Sequence, residues 1–178
     1  MNREIIAKTL VGKGKLAIQE KQVIKLEENI SKPLGCWIIN HKYDSKKIDK
    51  NIELNGTYDI QIWYAYDDDQ KTNVFYKTIT FSGVFLISWK NIKTVDDETK
   101  QKVHVIKYPT AVAMNQMNDH EVEIIIESVY FVDVFQDSII TVNTIEEEKQ
   151  DEIIDEEIVM NVNPNYLTDK KGMFRNLK

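Results

Sequence analysis

From Thr57 to Tyr66 the chain alternates, with Tyr58, Ile60, Ile62, Tyr64 and Tyr66 on one face and Trp63 on the other, polar one. A period of two is the signature of a half-buried strand, so the face of the even-numbered residues is predicted to be core. The polar run Asp67-Asp68-Asp69-Gln70-Lys71 breaks the pattern, and a second β-rich run, 72–87, follows, so the pair reads as a long antiparallel hairpin. A similar unit recurs: residues 103–112, a polar connection at 115–120, then Val122, Ile124, Ile126, Tyr130, Val132 and Val134 in steps of two, with Ser128 filling the remaining step. Earlier, residues 3–11, 15–26 and 34–43 are each short, β-prone and bounded by Gly, Pro or polar residues. Many short strands with few helical periods predict an all-β fold, an antiparallel sandwich or partly open barrel, in which the two hairpin-like halves are candidates for repeats.

The chain's 178 residues fit one domain or two small β units sharing a core. Its charged fraction of 29% and hydrophobic fraction of 42% are ordinary for a globular protein, which excludes wholesale disorder. No stretch approaches the ~20 apolar residues that span a bilayer, and the polar start Met1-Asn2-Arg3-Glu4 lacks the apolar core of a leader, so a protein made and kept in a cytoplasm, without membrane insertion, is expected. A single cysteine, Cys36, agrees with a reducing compartment. The triplets beginning at Asn29 and Asn55 then read as chance matches to a glycosylation signal.

The net charge of −6 is unevenly spread, because residues 146–157 hold eight acids against one Lys. A near-neutral body with an acidic segment has no field that draws DNA or RNA, so no nucleic-acid partner is expected. Like charges at this density repel, which predicts a flexible acidic C-terminal tail. Beyond it, Ile158 to Leu167 form an apolar-and-turn cluster that a solubilising tail does not need. The division that follows is a β body at 1–145, an acidic linker at 146–157 and a C-terminal docking peptide at 158–178, with Asn163, Pro164, Tyr166 and Leu167 as its partner-binding residues. The plainer alternative is that this end packs back on the body.

Chemistry is hard to place on this chain. Cys36 and His41 are five apart, and on a regular strand an odd separation sends side chains to opposite faces, so Cys36 reads as a small buried hydrophobe and His41 as a surface or capping residue. His41, His104 and His120 are isolated, and no paired-Cys or His-Glu-x-x-His spacing occurs, so no metal and no cofactor is expected. Gly12-Lys13-Gly14-Lys15 lacks the spacer and the Ser/Thr of a phosphate loop and reads as a turn between two strands. The carboxylate runs 67–69 and 96–98 fall in predicted solvated turns, unlike catalytic carboxylates, whose pKa values burial raises. No enzyme is predicted. Trp63 on its polar face, and Phe75 and Phe81 opposite Val74, Tyr76 and Thr78, make both faces of the 57–87 hairpin partly apolar. Either the hairpin is buried on two sides, or one face packs on another subunit, which makes Trp63, Phe75 and Phe81 candidate self-association residues.

The string Gly35-Cys36-Trp37-Ile38-Ile39-Asn40-His41-Lys42-Tyr43-Asp44, followed by Gly56 to Tyr64, closely resembles the outer spore coat protein E (CotE) family. The resemblance runs from Arg3-Glu4-Ile5-Ile6 through the β body to Asn163-Pro164-Asn165-Tyr166-Leu167, while the basic end 170–178 departs from the family pattern. It implies a spore-coat morphogenetic scaffold that passes from the mother-cell cytoplasm to the forespore surface, assembles there as a homo-oligomer and recruits other spore coat proteins, without catalysis. The rival reading is a small-molecule or glycan-binding β domain, which an exposed Trp37, Trp63 or Trp89 in a concave groove would favour.

Overall fold

The computed structural model describes residues 2–143, the side chains of Asp96 and Asp97 excepted. Residues Glu4–Thr141 form one compact unit. The acidic linker and the docking peptide, with Asn163, Pro164, Tyr166 and Leu167, lie outside the described residues.

Seven strands carry the chain: β1 (Asn2–Lys25), β2 (Ile30–Ile48), β3 (Asn51–Tyr66), β4 (Lys71–Phe85), β5 (Ser88–Trp89), β6 (Thr94–Asn118) and β7 (Glu121–Asn143). They form a four-stranded sheet in the order β5-β1-β7-β6 and a three-stranded sheet in the order β2-β3-β4. The all-β, antiparallel expectation holds, as two sheets that do not close into a barrel.

The alternation read from the sequence is the one that makes the core. Tyr58, Ile60, Ile62 and Tyr64 of β3, Ile79, Phe81 and Phe85 of β4, and Val122, Ile124, Ile126, Tyr130, Val132 and Val134 of β7 are all buried in one cluster. Each such side chain stabilises the fold by about 1.5–3 kcal/mol through its removal from water. Polar ties also cross from sheet to sheet, since the Tyr58 hydroxyl on β3 donates to Glu20 on β1 at 2.5 Å. Burial and this acceptor together push the Tyr58 phenol far above its ordinary range.

Two expectations are corrected here. The hairpin connection is two residues, Asp119-His120, because Asn118 already pairs with Glu121 and the strand signal of β6 runs through the polar residues 115–118. More substantially, residues 12–15 are not a turn: β1 is one unbroken strand of 24 residues. Neither Gly12 nor Gly14 has a positive φ. A Cβ at Gly12 would lie 2.7 Å from Cγ2 of Ile87, and one at Gly14 would lie 2.9 Å from Cδ1 of the same residue and 3.2 Å from Cβ of Phe85. The glycines are there because the β4–β5 connection crosses the strand at close range, which is the other reason a strand carries Gly.

The edges of the two sheets differ. Pro33 lies in β2 and Pro109 in β6, both edge strands, where a missing N–H leaves no rung of the ladder unmade. These two edges run beside one another without pairing. Side chains bridge the gap, with Gln101 Nε2 donating to the Ser45 carbonyl at 3.2 Å and Gln116 Nε2 to the Ile30 carbonyl at 3.0 Å.

Candidate interaction surface

The alternation that buries Ile60 and Ile62 turns Asp59, Gln61 and Trp63 to the outer face of the three-stranded sheet. Register then fixes their neighbours: Trp37 and Ile39 of β2 stand opposite Gln61 and Asp59, while Tyr76 and Thr78 of β4 stand opposite the same pair from the other side. Tyr76 is 62% exposed, Trp37 54% and Trp63 39%. Trp37 and Trp63 meet edge to face, with ring centroids 5.9 Å apart, an arrangement that matches the ring quadrupoles.

Beside the aromatics sits a held carboxylate. Asp59 accepts from Thr78 Oγ1 at 2.6 Å and from Asn40 Nδ2 at 2.7 Å, and these bonds, Thr78 first, keep its carboxyl below the usual carboxylate range. A shallow cleft of about 330 Å³ is lined here by residues including Ile39, Asp59, Gln61 and Tyr76. Exposed aromatics around an oriented polar group are the composition of a protein interface.

Of the three predicted self-association residues, the structure places one on this face. Trp63 is there. Phe75 is partly buried against the core and Phe81 is 2% exposed, so for these two the fold takes the first of the alternatives left open above, burial within the hairpin's own protein. The cause lies in the partner strand: Gly56 stands opposite Phe81, and the ring lies over the space a side chain would have filled, 2.4 Å from where a Cβ would be. There it stacks with His41, Tyr58 and Tyr130 at centroid distances of 5.6, 5.7 and 5.8 Å. Trp37 and Tyr76, by contrast, complete the exposed patch and were not among the candidates. The loop 67–70 held the missing signal, since closing Tyr66 against Lys71 sets Tyr76 opposite Gln61.

His41 is a further correction. Asn40 has φ 54° and the β2–β3 register shifts between Ile39 and Lys42, so an irregularity reverses the alternation between Cys36 and His41. Instead of facing solvent, His41 turns into an aromatic cluster with Tyr43, Phe81, Tyr108 and Tyr130, and its Nε2 lies 2.9 Å from the Tyr130 hydroxyl. Desolvation lowers its pKa below the ordinary 6.5. The unfolded chain therefore takes up this proton first as pH falls, and the stability that neutral His41 contributes is present above about pH 6.5 and declines below it. Urea midpoints measured between pH 7.5 and 5 should fall more steeply for the native chain than for His41→Gln; equal slopes would count against this account. Cys36 packs against the core as expected, and burial pushes its thiol up to about 11.

Among the described residues, no group of three or more His, Cys, Asp or Glu side chains is placed to hold a metal ion. Asp67 and Asp69 pair with Lys71 and Lys32, each at 2.8 Å, at the turn of the β3–β4 hairpin. One of the three tryptophans, the exposed Trp89, meets the condition that favours a ligand-binding β domain. Trp89, whose Nε1 donates to the Lys50 carbonyl at 3.1 Å, lines a cleft of about 440 Å³ that contains neither Trp37 nor Trp63.

The family model described as outer spore coat protein E (CotE) matches residues 1–174. No curated protein and no solved structure matches the chain.

Proposed function

The chain belongs to the outer spore coat protein E (CotE) family, and from that premise we propose that this protein of the spore's outer coat is a self-assembling morphogenetic scaffold. It forms homo-oligomers on the forespore surface after synthesis in the mother cell, and it recruits other coat proteins through the peptide at 158–178. It performs no catalysis. The observation that carries this reading is the outer face of β2–β3–β4, where Trp37, Trp63 and Tyr76 lie exposed on one face. A face of this kind packs against another protein surface, here a further copy of the chain.

Aromatic anchors of this sort each carry about 2 kcal/mol or more of an interface. Trp37→Ser with Trp63→Ser should therefore weaken self-association at least tenfold in light scattering across a concentration series, while far-UV circular dichroism stays that of the native chain. A native chain that remains monomeric up to millimolar concentration would sink the scaffold reading.

A further inference from the structure

A shell cannot be built from one contact, and the fold offers a second at its strand edges. Every edge strand leaves backbone N–H and C=O groups unpaired, and proteins that stay monomeric interrupt such edges with Pro, bulges or Lys. β2 is interrupted by Pro33 and three register shifts, and β6 by Pro109 and five. The side of β1 away from β7 is covered at Gly12 and Lys13 by β5, and the strand carries Lys8, Lys13, Lys15, Lys21 and Lys25. Of these devices β4 has only two lysines, Lys71 at its start and Lys77. It pairs with β3 from Lys71 to Phe85 without a register shift, contains no Pro, and no strand lies on its other side among the described residues.

The direction of its free groups can be read from one bond. The Val74 amide is taken at 2.8 Å by the side-chain oxygen of its own neighbour, Asn73, which marks Val74 as a residue whose N–H points away from β3. By alternation the N–H groups of Tyr76, Thr78, Thr80 and Ser82 point the same way.

We propose that the free edge of β4 pairs antiparallel with β4 of a second copy, joining two three-stranded sheets into one six-stranded sheet. This rests on the self-assembling reading above and names a contact distinct from the aromatic face. The strand is complementary to itself about a two-fold axis. Setting Thr78 opposite Thr80 of the second copy, a pair type that stabilises antiparallel sheets, also sets Tyr76 opposite Ser82 and Val74 opposite Val84 with no like charges facing. The same register keeps Lys71 and Lys77, the strand's two charges, from facing their own copies. About 35 Å of edge is joined in this way, which at one strand's width is a small contact on the scale of specific interfaces. Association through it is therefore concentration-dependent.

Thr80→Pro removes one outward N–H and fits an edge strand. In light scattering the native chain should assemble, the Trp37→Ser, Trp63→Ser chain should stop at dimers, and adding Thr80→Pro to that chain should leave monomers. A native chain that never assembles overturns the scaffold reading and this contact with it; a triple variant that stays dimeric overturns the edge contact alone. Should Thr80→Pro fail to fold, hydrogen exchange on the native full-length chain decides. The amides of Tyr76, Thr78 and Thr80 should exchange at least tenfold more slowly in the assembled state than in dilute monomer, and unchanged rates sink the proposal. Loss of the β4 protection on truncation after Ile145 would also overturn it, by making the occupant the chain's own C-terminal segment.

Discussion

A chain cut after Ile145 should fold and self-associate as the full chain does, yet bring no other coat protein with it. Every described strand ends by residue 143, so the cut leaves both sheets whole. What it removes is a spacer of eight carboxylates and one lysine, whose mutual repulsion favours extension, followed by an apolar motif at its far end. On the proposed docking role, Pro164 disfavours a helical Asn163, so that Tyr166 and Leu167 would be presented as neighbouring anchors for a groove or sheet edge on a client. A buried aromatic anchor is worth about 2 kcal/mol or more, which is a loss of roughly thirtyfold in affinity. Tyr166→Ala with Leu167→Ala should therefore reproduce most of the truncation's effect in a pull-down, while neutralising the acids should change chiefly on-rate and salt dependence. Two results would tell against this: a truncated body that unfolds, or a double variant that retains its clients at native levels.

Gly56→Val should cost the body about 3 kcal/mol or more of stability, a large share of what a domain of this size has. A Cβ at Gly56 would stand 2.4 Å from the backbone carbonyl oxygen of Lys42 as well as 2.4 Å from Cζ of Phe81. The ring could swing away, but the carbonyl belongs to the β2 backbone beside the irregularity at Asn40 and cannot. Adding Phe81→Leu should thus recover only part of the loss in the urea midpoint. A native midpoint for Gly56→Val would mean that the close packing of β2, β3 and β4 at this point has been misjudged.

How much of this could be read from the residues depended on whether one strand was enough to decide. The alternation in β3 and β7 marks the buried face without help from a partner, and those strands came out as expected, down to Ser128 in its place among Val and Ile. Phe81 is different, because which face of β4 is the core depends on its register against β3, where Ile79 and Phe85 stand opposite the buried Tyr58 and Ile52. Gly12 and Gly14 look like a turn until the segment that crosses them, more than seventy residues later, is known. His41 was misread for a subtler reason: counting by twos assumes a regular strand, and one residue with a left-handed backbone at Asn40 reverses the count. The aromatic face was half visible, in Trp63; Trp37 and Tyr76 join it only once the hairpin registers are set.

The strand order has a consequence in time. β2, β3 and β4 follow one another in the chain and pair as successive hairpins, so the three-stranded sheet can form from local contacts as soon as those residues are made. β1 has to wait. Two-residue β5 covers it only at Gly12 and Lys13, its other neighbour in the four-stranded sheet is β7, and the bond between the Thr9 and Ser138 hydroxyls, 2.7 Å long, closes a separation of 129 residues. Closing loops of that length is slow, and until it happens the inner face of the early sheet stays uncovered. During synthesis the nascent chain therefore exposes its most apolar surface for as long as it takes to finish β7. A premature stop anywhere before residue 121 leaves a sticky fragment with no β7 at all, and such fragments should be cleared or aggregate instead of joining the coat.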